Sequence, residues 1–303
     1  MTRSIASLLA ERVVLLDGGV GSELIARGLE LGRPPELWNL ERPDDVRAVH
    51  AAYVAAGSDV VQTNSFGASP FVLARHGLGQ RAGEINTAAA RIARAAAGTQ
   101  RLVAGDIGPS GESLPPVGAA DPDELADGFA RQAQALAAGG ADYLSIETMI
   151  DLREALCALR GARAACDLPL TACLTFDRKK RGFFTLMGDA PGDAVKALAD
   201  AGAAAAGANC SVGSEAMAHL LPELLAAATV PVIVKPNAGL PEVADGGTVY
   251  RQQPIQFAAD LARMAALGAR AVGGCCGTDA RFIAALRDAL SAPDPASPAG
   301  GDV

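Results

Sequence analysis

Ala269-Arg270-Ala271-Val272-Gly273-Gly274-Cys275-Cys276-Gly277-Thr278 is a short apolar run that breaks into glycines with two adjacent thiols among them. Such a run reads as a buried strand that ends in a turn. Working outward, a third thiol, Cys210, follows the apolar run 203–209 and leads into Ser211-Val212-Gly213. Three thiols at strand ends suggest three thiolates on one metal ion. Zinc suits soft sulfur ligands, and three protein ligands leave a fourth position for a substrate. Neighbouring strand residues point to opposite faces, so Cys275 and Cys276 can share an ion only if the backbone leaves strand geometry. Gly273, Gly274 and Gly277 permit that. Two other readings fit the thiols taken alone: small buried hydrophobes, or a strained disulfide between the adjacent pair. Cys157, Cys166 and Cys173 lack the glycine-flanked, strand-end setting and read as core or helix residues.

The strand-then-turn pattern recurs along the chain. Strands are expected at residues 13–17, 59–64, 102–106, 143–147, 170–176, 203–210, 231–236 and 269–275. Helical patterns fill the intervals at 43–57, 81–97, 121–138, 151–165, 193–201, 214–228, 254–267 and 280–290, with a long loop between the first strand and Asn39. Capping and turn residues separate them. Eight strand–helix units in this length predict an α/β chain forming a single (β/α)8 TIM barrel, with a doubly wound open sheet as the other candidate. The barrel explains why Asp17-Gly18-Gly19, Thr63-Asn64, Gly105-Asp106, Glu147-Thr148, Thr175-Phe176-Asp177, Asn209-Cys210, Pro236-Asn237 and Cys275-Cys276 all fall at expected strand C-termini. Barrel enzymes build their active sites at that end. The barrel is expected over 1–290, followed by a disordered Pro/Gly/Ser-rich tail over 291–303.

Composition narrows the function. The 303 residues are 50% hydrophobic and 20% charged, with net charge −8. This acidic balance argues against nucleic-acid partners, which need a basic face. No apolar stretch of membrane-spanning length is present, and the opening Met1-Thr2-Arg3-Ser4-Ile5 lacks the core of a secretory signal. A cytoplasmic, reducing setting is expected, which favours metal-binding over disulfide cysteines.

The motifs also resemble, in order and spacing, those of the homocysteine S-methyltransferases, including the homocysteine barrel of cobalamin-dependent methionine synthase and the betaine–homocysteine enzymes. The resemblance runs from Leu16-Asp17-Gly18-Gly19 through Gln62-Thr63-Asn64-Ser65-Phe66-Gly67, Gly105-Asp106-Ile107-Gly108-Pro109, Glu147-Thr148 and Gly207-Ala208-Asn209-Cys210 to Gly273-Gly274-Cys275-Cys276-Gly277-Thr278. It implies a zinc-dependent barrel that methylates homocysteine to methionine, with zinc on Cys210, Cys275 and Cys276. It places Asp17, Gly18 and Gly19 at the amino-acid end of the substrate and Glu147 on its ammonium. The chemistry agrees. A substrate thiol with an ordinary pKa holds little thiolate at neutral pH, and zinc coordination deprotonates it. Asp17 and Glu147 are anions for an ammonium, and the Gly18–Gly19 N–H groups are donors for a carboxylate.

The methyl donor is less constrained. His50, His76 and His219 do not lie in an Asp-x-His-x-x-Gly corrinoid motif, and no second, folate-binding barrel is expected within these 303 residues. A methylcobalamin donor would therefore come from outside, on a separate corrinoid protein or as free cofactor. A cationic donor such as betaine or S-methylmethionine calls for an aromatic cage, for which Trp38 and Tyr250 are candidates. Gly67 stands where the betaine enzymes carry a tyrosine, and the 105–111 and 235–239 segments resemble the methionine synthase branch. The basic run Arg178-Lys179-Lys180-Arg181 reads as a solvated loop or as a lid facing an anionic donor, with Gly182 and Gly188 as hinges. Two rival classes remain: a non-catalytic homocysteine or zinc binding module, and a metal-free barrel lyase using Lys235 as a Schiff-base lysine.

Overall fold

The computed structural model describes residues 4–244 and 247–292. The expected tail lies, beyond Ala292, outside the described residues. One parallel sheet holds eight strands: β1 (Val14–Leu15), β2 (Val60–Gln62), β3 (Leu102–Ile107), β4 (Tyr143–Met149), β5 (Leu170–Leu174), β6 (Ala205–Gly213), β7 (Val232–Asn237) and β8 (Ala269–Val272). Their order around the sheet is β1-β8-β7-β6-β5-β4-β3-β2. This is the expected α/β barrel, and it rules out the doubly wound alternative.

The ring closes between β1 and β2 by an unusual route. The Asp59 N–H donates to Leu15 O at 2.7 Å. The Asp59 carboxylate in turn accepts the Leu15 N–H at 3.0 Å. Further up, the Asp17 carboxylate accepts the Gln62 N–H at 2.7 Å. Two side-chain carboxylates thus stand where strand carbonyls would. Arg12 grips Asp59 with two bonds of 2.7 and 2.6 Å, and Arg101 adds a third at 3.2 Å.

Helices follow the strands and bury apolar stripes against them. Pro43–Ala56 starts on Pro43 and ends on Gly57, whose φ of 111° only glycine adopts cheaply. Pro122–Gly139 is capped by Asp121, which accepts from the N–H groups of Asp123 and Glu124. Inside the barrel, Val14, Leu16, Val60, Leu102, Ala104, Tyr143, Cys173, Ala205, Ile233 and Ala271 form a separate apolar cluster. A helix not foreseen, Ile5–Glu11, closes the bottom of this cluster with Ile5, Leu8 and Leu9. Its signal was legible, since Ser4 and Ser7 make a reciprocal capping box.

Other departures are local. The long loop after β1 contains the helices Val20–Ala26 and Trp38–Glu41. The basic run forms an antiparallel hairpin, Asp177–Lys179 with Gly182–Phe184, which is anchored by the buried Phe183 and exposes Arg178 to Arg181. Among the described residues no helix is long and apolar enough to cross a membrane.

Candidate active site

The period of two that builds each strand also builds the site. Inward positions run Val60–Gln62, Leu102–Ala104–Asp106, Tyr143–Ser145–Glu147 and Ile233–Lys235. Each line is apolar at the bottom of the barrel and polar at the top, because side chains two apart share a face. The top layer forms the floor of a pocket of about 180 Å³, which suits a small metabolite rather than a drug-sized ligand. Its rim carries Gly18 and Gly19 after β1, Asn64 to Phe66 after β2, Cys210 on β6 and Gly274 to Cys276 after β8.

The three expected thiols meet at one side of this pocket. Their sulfurs all lie within 4.8 Å of one another, and those of Cys210 and Cys276 are 4.0 Å apart. Tetrahedral zinc with Zn–S bonds near 2.3 Å would hold its sulfurs about 3.8 Å apart, so the set fits that ion with small adjustment. Two backbone devices create the convergence. Cys210 and Ser211 adopt φ of 60° and 56°, left-handed values that non-glycine residues rarely take. Gly277, with φ 79°, turns the chain after Cys276, and a side chain there would strike the Tyr250 ring. Asn209 braces the thiol side, its Nδ2 lying 3.9 Å from Cys275 Sγ. It accepts the Thr148 N–H at 2.8 Å and donates to Thr148 Oγ1 at 2.7 Å. Thr148 is itself left-handed at φ 59°.

Charge in the thiol cluster is held unevenly. Hydrogen bonds from Cys275 and then Cys276 push the Cys210 thiol down to about 3. Cys210 and Cys276 hold Cys275 well above its usual range, and the bond to Cys210, opposed by the one from Cys275, moves Cys276 up to about 11. Three sulfurs this close, one of them held as a thiolate, suit a cation, which fits the metal reading and not the vicinal disulfide; all three cysteines are free. Cys157 and Cys173 are buried elsewhere, and Cys166 caps a helix end.

Beside the thiols lies a three-residue polar cluster. Gln62 Nε2 donates to Glu147 Oε2 at 2.6 Å. The Lys235 ammonium bonds to both Gln62 Oε1 and Glu147 Oε2. Burial alone would lower the Lys235 pKa, but Glu147 and then Asp106 outweigh it and hold the amine charged. A Schiff-base lysine must be neutral to attack a carbonyl, so the lyase reading loses its nucleophile.

Some expected site residues sit differently. Asp17 is fully buried and not at the pocket surface; burial raises it to about 7, and the Gln62 N–H and Lys235 partly offset this. The Gly19 N–H already donates to Thr278 O and Oγ1, each at 3.1 Å, so the turn is no ready anion nest. What it supplies is closeness: a Cβ on Gly19 would sit 2.7 Å from Cys275 O. Trp38 is buried beneath Arg42, whose guanidinium lies 3.9 Å from the ring centroid, so it joins no cage. The aromatic at the pocket is instead Phe66. Gly67 donates to the buried Glu36 at 2.6 Å, and a side chain there would collide with that carboxylate. Gln62 was not singled out from the sequence, Asp106 was placed only at a strand end, and Lys235 was read only as a Schiff-base candidate, although each extends an inward apolar line by two positions.

An eight-stranded parallel barrel with a thiol cluster and a polar floor at its C-terminal face has the layout of a barrel enzyme. The chain belongs to the homocysteine S-methyltransferase family, whose match covers residues 14–290. It is 33% identical over 304 residues to a methionine synthase of Mycobacterium tuberculosis and 32% identical over 303 residues to that of Mycobacterium leprae. These matches cover 94% and 93% of this chain, which spans about a quarter of the length of each relative. Among solved structures, the metallated form of the homocysteine methyltransferase MmuM from Escherichia coli is similar, with a TM-score of 0.77 and 28% identity. That match covers 93% of this chain and 98% of MmuM.

Proposed function

We propose that this chain is a zinc-dependent methyltransferase that moves a methyl group onto the thiolate of homocysteine, forming methionine. The observation that carries the reading is the convergence of Cys210, Cys275 and Cys276 at the edge of a pocket that also holds Glu147 and Lys235. The similarity to a homocysteine methyltransferase solved in metallated form supports the same reading.

Cys210, Cys275 and Cys276 would hold the zinc, which supplies an open coordination position where a thiol loses its proton. The protein's own residues do the rest. The αL backbone at Cys210 and the glycine turn at Cys275–Cys276 aim three sulfurs at one point. Glu147 faces the substrate's ammonium, and the buried Asp17 acts on that group through Gln62, whose N–H it holds. Phe66 and the Gly18–Gly19 turn exclude water beside the sulfur. In the transfer, the homocysteine sulfur forms a bond to the methyl carbon as the donor's bond breaks, and the donor keeps the electron pair. The thiol proton leaves to solvent when the substrate binds.

For the donor we favour a methylcorrinoid, with methyltetrahydrofolate behind it. The motifs resembling the methionine synthase branch and the similarity to two methionine synthases support this choice. Gly67, packed on Glu36, argues against the betaine branch. The test is methionine formation by zinc-loaded protein from homocysteine and a panel of methylcobalamin, betaine, dimethylsulfoniopropionate, S-methylmethionine and S-adenosylmethionine. Homocysteine binding without turnover across a donor panel that includes a methylated corrinoid protein would favour a binding module.

A further inference from the structure

Asn209 is fully buried at a place where two strands leave their ladders. It is the last residue of β6 in regular register, paired with Lys235 on β7, and the register shifts between it and Gly213. On β4 the ladder to β5 shifts between Ile146 and Met149, around Glu147 and Thr148. Both breaks carry left-handed residues, Cys210 and Ser211 on one strand and Thr148 on the other. Such backbone is costly at a residue with a side chain and persists only where its surroundings hold it. The Asn209 side chain joins the two breaks, from β6 to the end of β4.

The orientation of its amide follows from its partners. The Thr148 N–H can only donate, so the atom that accepts it at 2.8 Å is Oδ1. Nδ2 then carries two N–H groups to place. One goes to Thr148 Oγ1 at 2.7 Å. Among the described residues, the other acceptor that Nδ2 reaches is Cys275 Sγ, at 3.9 Å. A buried N–H left unbonded is costly. The 3.9 Å separation is long for a bond to a neutral thiol. A metal-bound thiolate is a stronger acceptor, and bonds to charged acceptors are shorter.

We propose that Asn209 is a positioning residue for the metal centre: its second amide N–H bonds the Cys275 sulfur while its other two bonds lock the left-handed Thr148. One side chain thereby fixes the thiol cluster against the strand end that carries Glu147. Groups that hydrogen-bond a metal ligand orient it and tune the charge it brings to the ion. The N–H here draws charge from one of three sulfurs that would share a single cation. The inference rests on the metal reading above, but the choice of Asn209 rests on its own hydrogen bonds.

The test uses the full chain loaded with zinc or, as a spectroscopic stand-in, with cobalt(II). Asn209→Ala should bind zinc about ten- to a hundredfold more weakly in competition with a chromophoric chelator. In the cobalt protein its sulfur-to-metal absorption band should move to lower energy, because a thiolate that has lost a hydrogen bond gives up charge more readily. Thr148→Val removes the acceptor of the other Asn209 N–H but leaves Oδ1 on the Thr148 N–H, so its band should stay at the wild-type position. A merely structural Asn209 would lower the urea midpoint in both variants and shift the band in neither. That result overturns the proposal, as does wild-type zinc affinity in Asn209→Ala. Should Asn209→Ala fail to fold, the wild type decides. One side-chain amide proton of Asn209 should move downfield in the NMR spectrum when zinc is added to the metal-free protein, and a resonance that stays in place overturns the bond to Cys275. A wild type that takes up neither zinc nor cobalt overturns the metal reading itself, which is a separate outcome from a metal-loaded variant that behaves like wild type.

Discussion

The sulfur of Cys210 stands 4.0 Å from the sulfur of Cys276, 66 positions further along the chain. Neither position faces the other by strand alternation alone. The left-handed φ of 60° at Cys210 and the turn at Gly277 bring them together. Strain kept at such a point is the signature of a site held for chemistry.

Metal content should follow that geometry. The purified protein should carry about one zinc per chain, as expected for one three-sulfur set. Cys210→Ala, Cys275→Ala and Cys276→Ala should each lose most of it, measured by atomic emission on dialysed protein, and should lose methyl transfer. Cys157→Ala and Cys166→Ala should keep both. Full zinc in Cys276→Ala would end the three-thiolate reading.

Homocysteine binding should release about one proton, because the thiol must ionise to become a ligand. Calorimetric titrations in buffers of different ionisation enthalpy will show it. Methionine, which has no acidic S–H, should release none, and chelated protein should show no release with either ligand.

Glu147→Gln should act on both binding and stability. It should weaken homocysteine binding about ten- to a hundredfold. It also leaves the buried Lys235 ammonium without its main partner, at a cost of about 3 kcal/mol. Adding Lys235→Met should restore most of the urea-unfolding stability but not the affinity. If stability is unchanged in the single variant, the ion pair is not the compensating element described above.

Stability should fall in mild acid through His50. The imidazole is fully buried, neither nitrogen has a partner, and burial lowers it to about 4. The unfolded chain, with a pKa near 6.5, takes up the proton first. His50 therefore costs nothing above pH about 6.5, and stability is lost as pH falls toward 4, by about 2 kcal/mol at pH 5. His50→Leu should remove this part of the pH dependence, read as the urea midpoint at pH 7 against pH 5.

The β1–β2 seam should depend on one side chain. Asp59→Ala strands the Leu15 N–H and the Arg12 guanidinium and should cost about 3 kcal/mol. Asp59→Asn keeps an acceptor for Leu15 but not the charge for Arg12, so it should fall between the two. Equal midpoints in urea for wild type and Asp59→Ala would mean that the seam closes without it.

Much of the site was legible before folding because its residues sit where a strand gives way to glycine. The Cys275–Cys276 pair and Glu147–Thr148 are of this kind. Lys235 was legible as a strand-end lysine but not as the partner of Glu147, since the two are separated by 88 residues. The helix Ile5–Glu11 went unread although its capping serines were in plain view, because about two turns of helix have little periodicity to detect.

The sequence by itself determined the alternation of eight strands and helices, the end of the barrel where chemistry collects, and the identity of the three thiols. These follow from local rules: side-chain period, capping residues and glycine turns act within a few positions of the chain. Only the tertiary structure decided which carboxylates face the pocket, which are already paired, and which stand behind its wall. Asp17 and Asp106 illustrate the point. Both end a barrel strand and each keeps one oxygen without a partner, yet Asp17 spends its other oxygen on the Gln62 N–H behind the wall while Asp106 lines the pocket. That difference comes from the curvature and closure of the barrel, which sets strand against strand across long separations and leaves no trace in the residues around either aspartate.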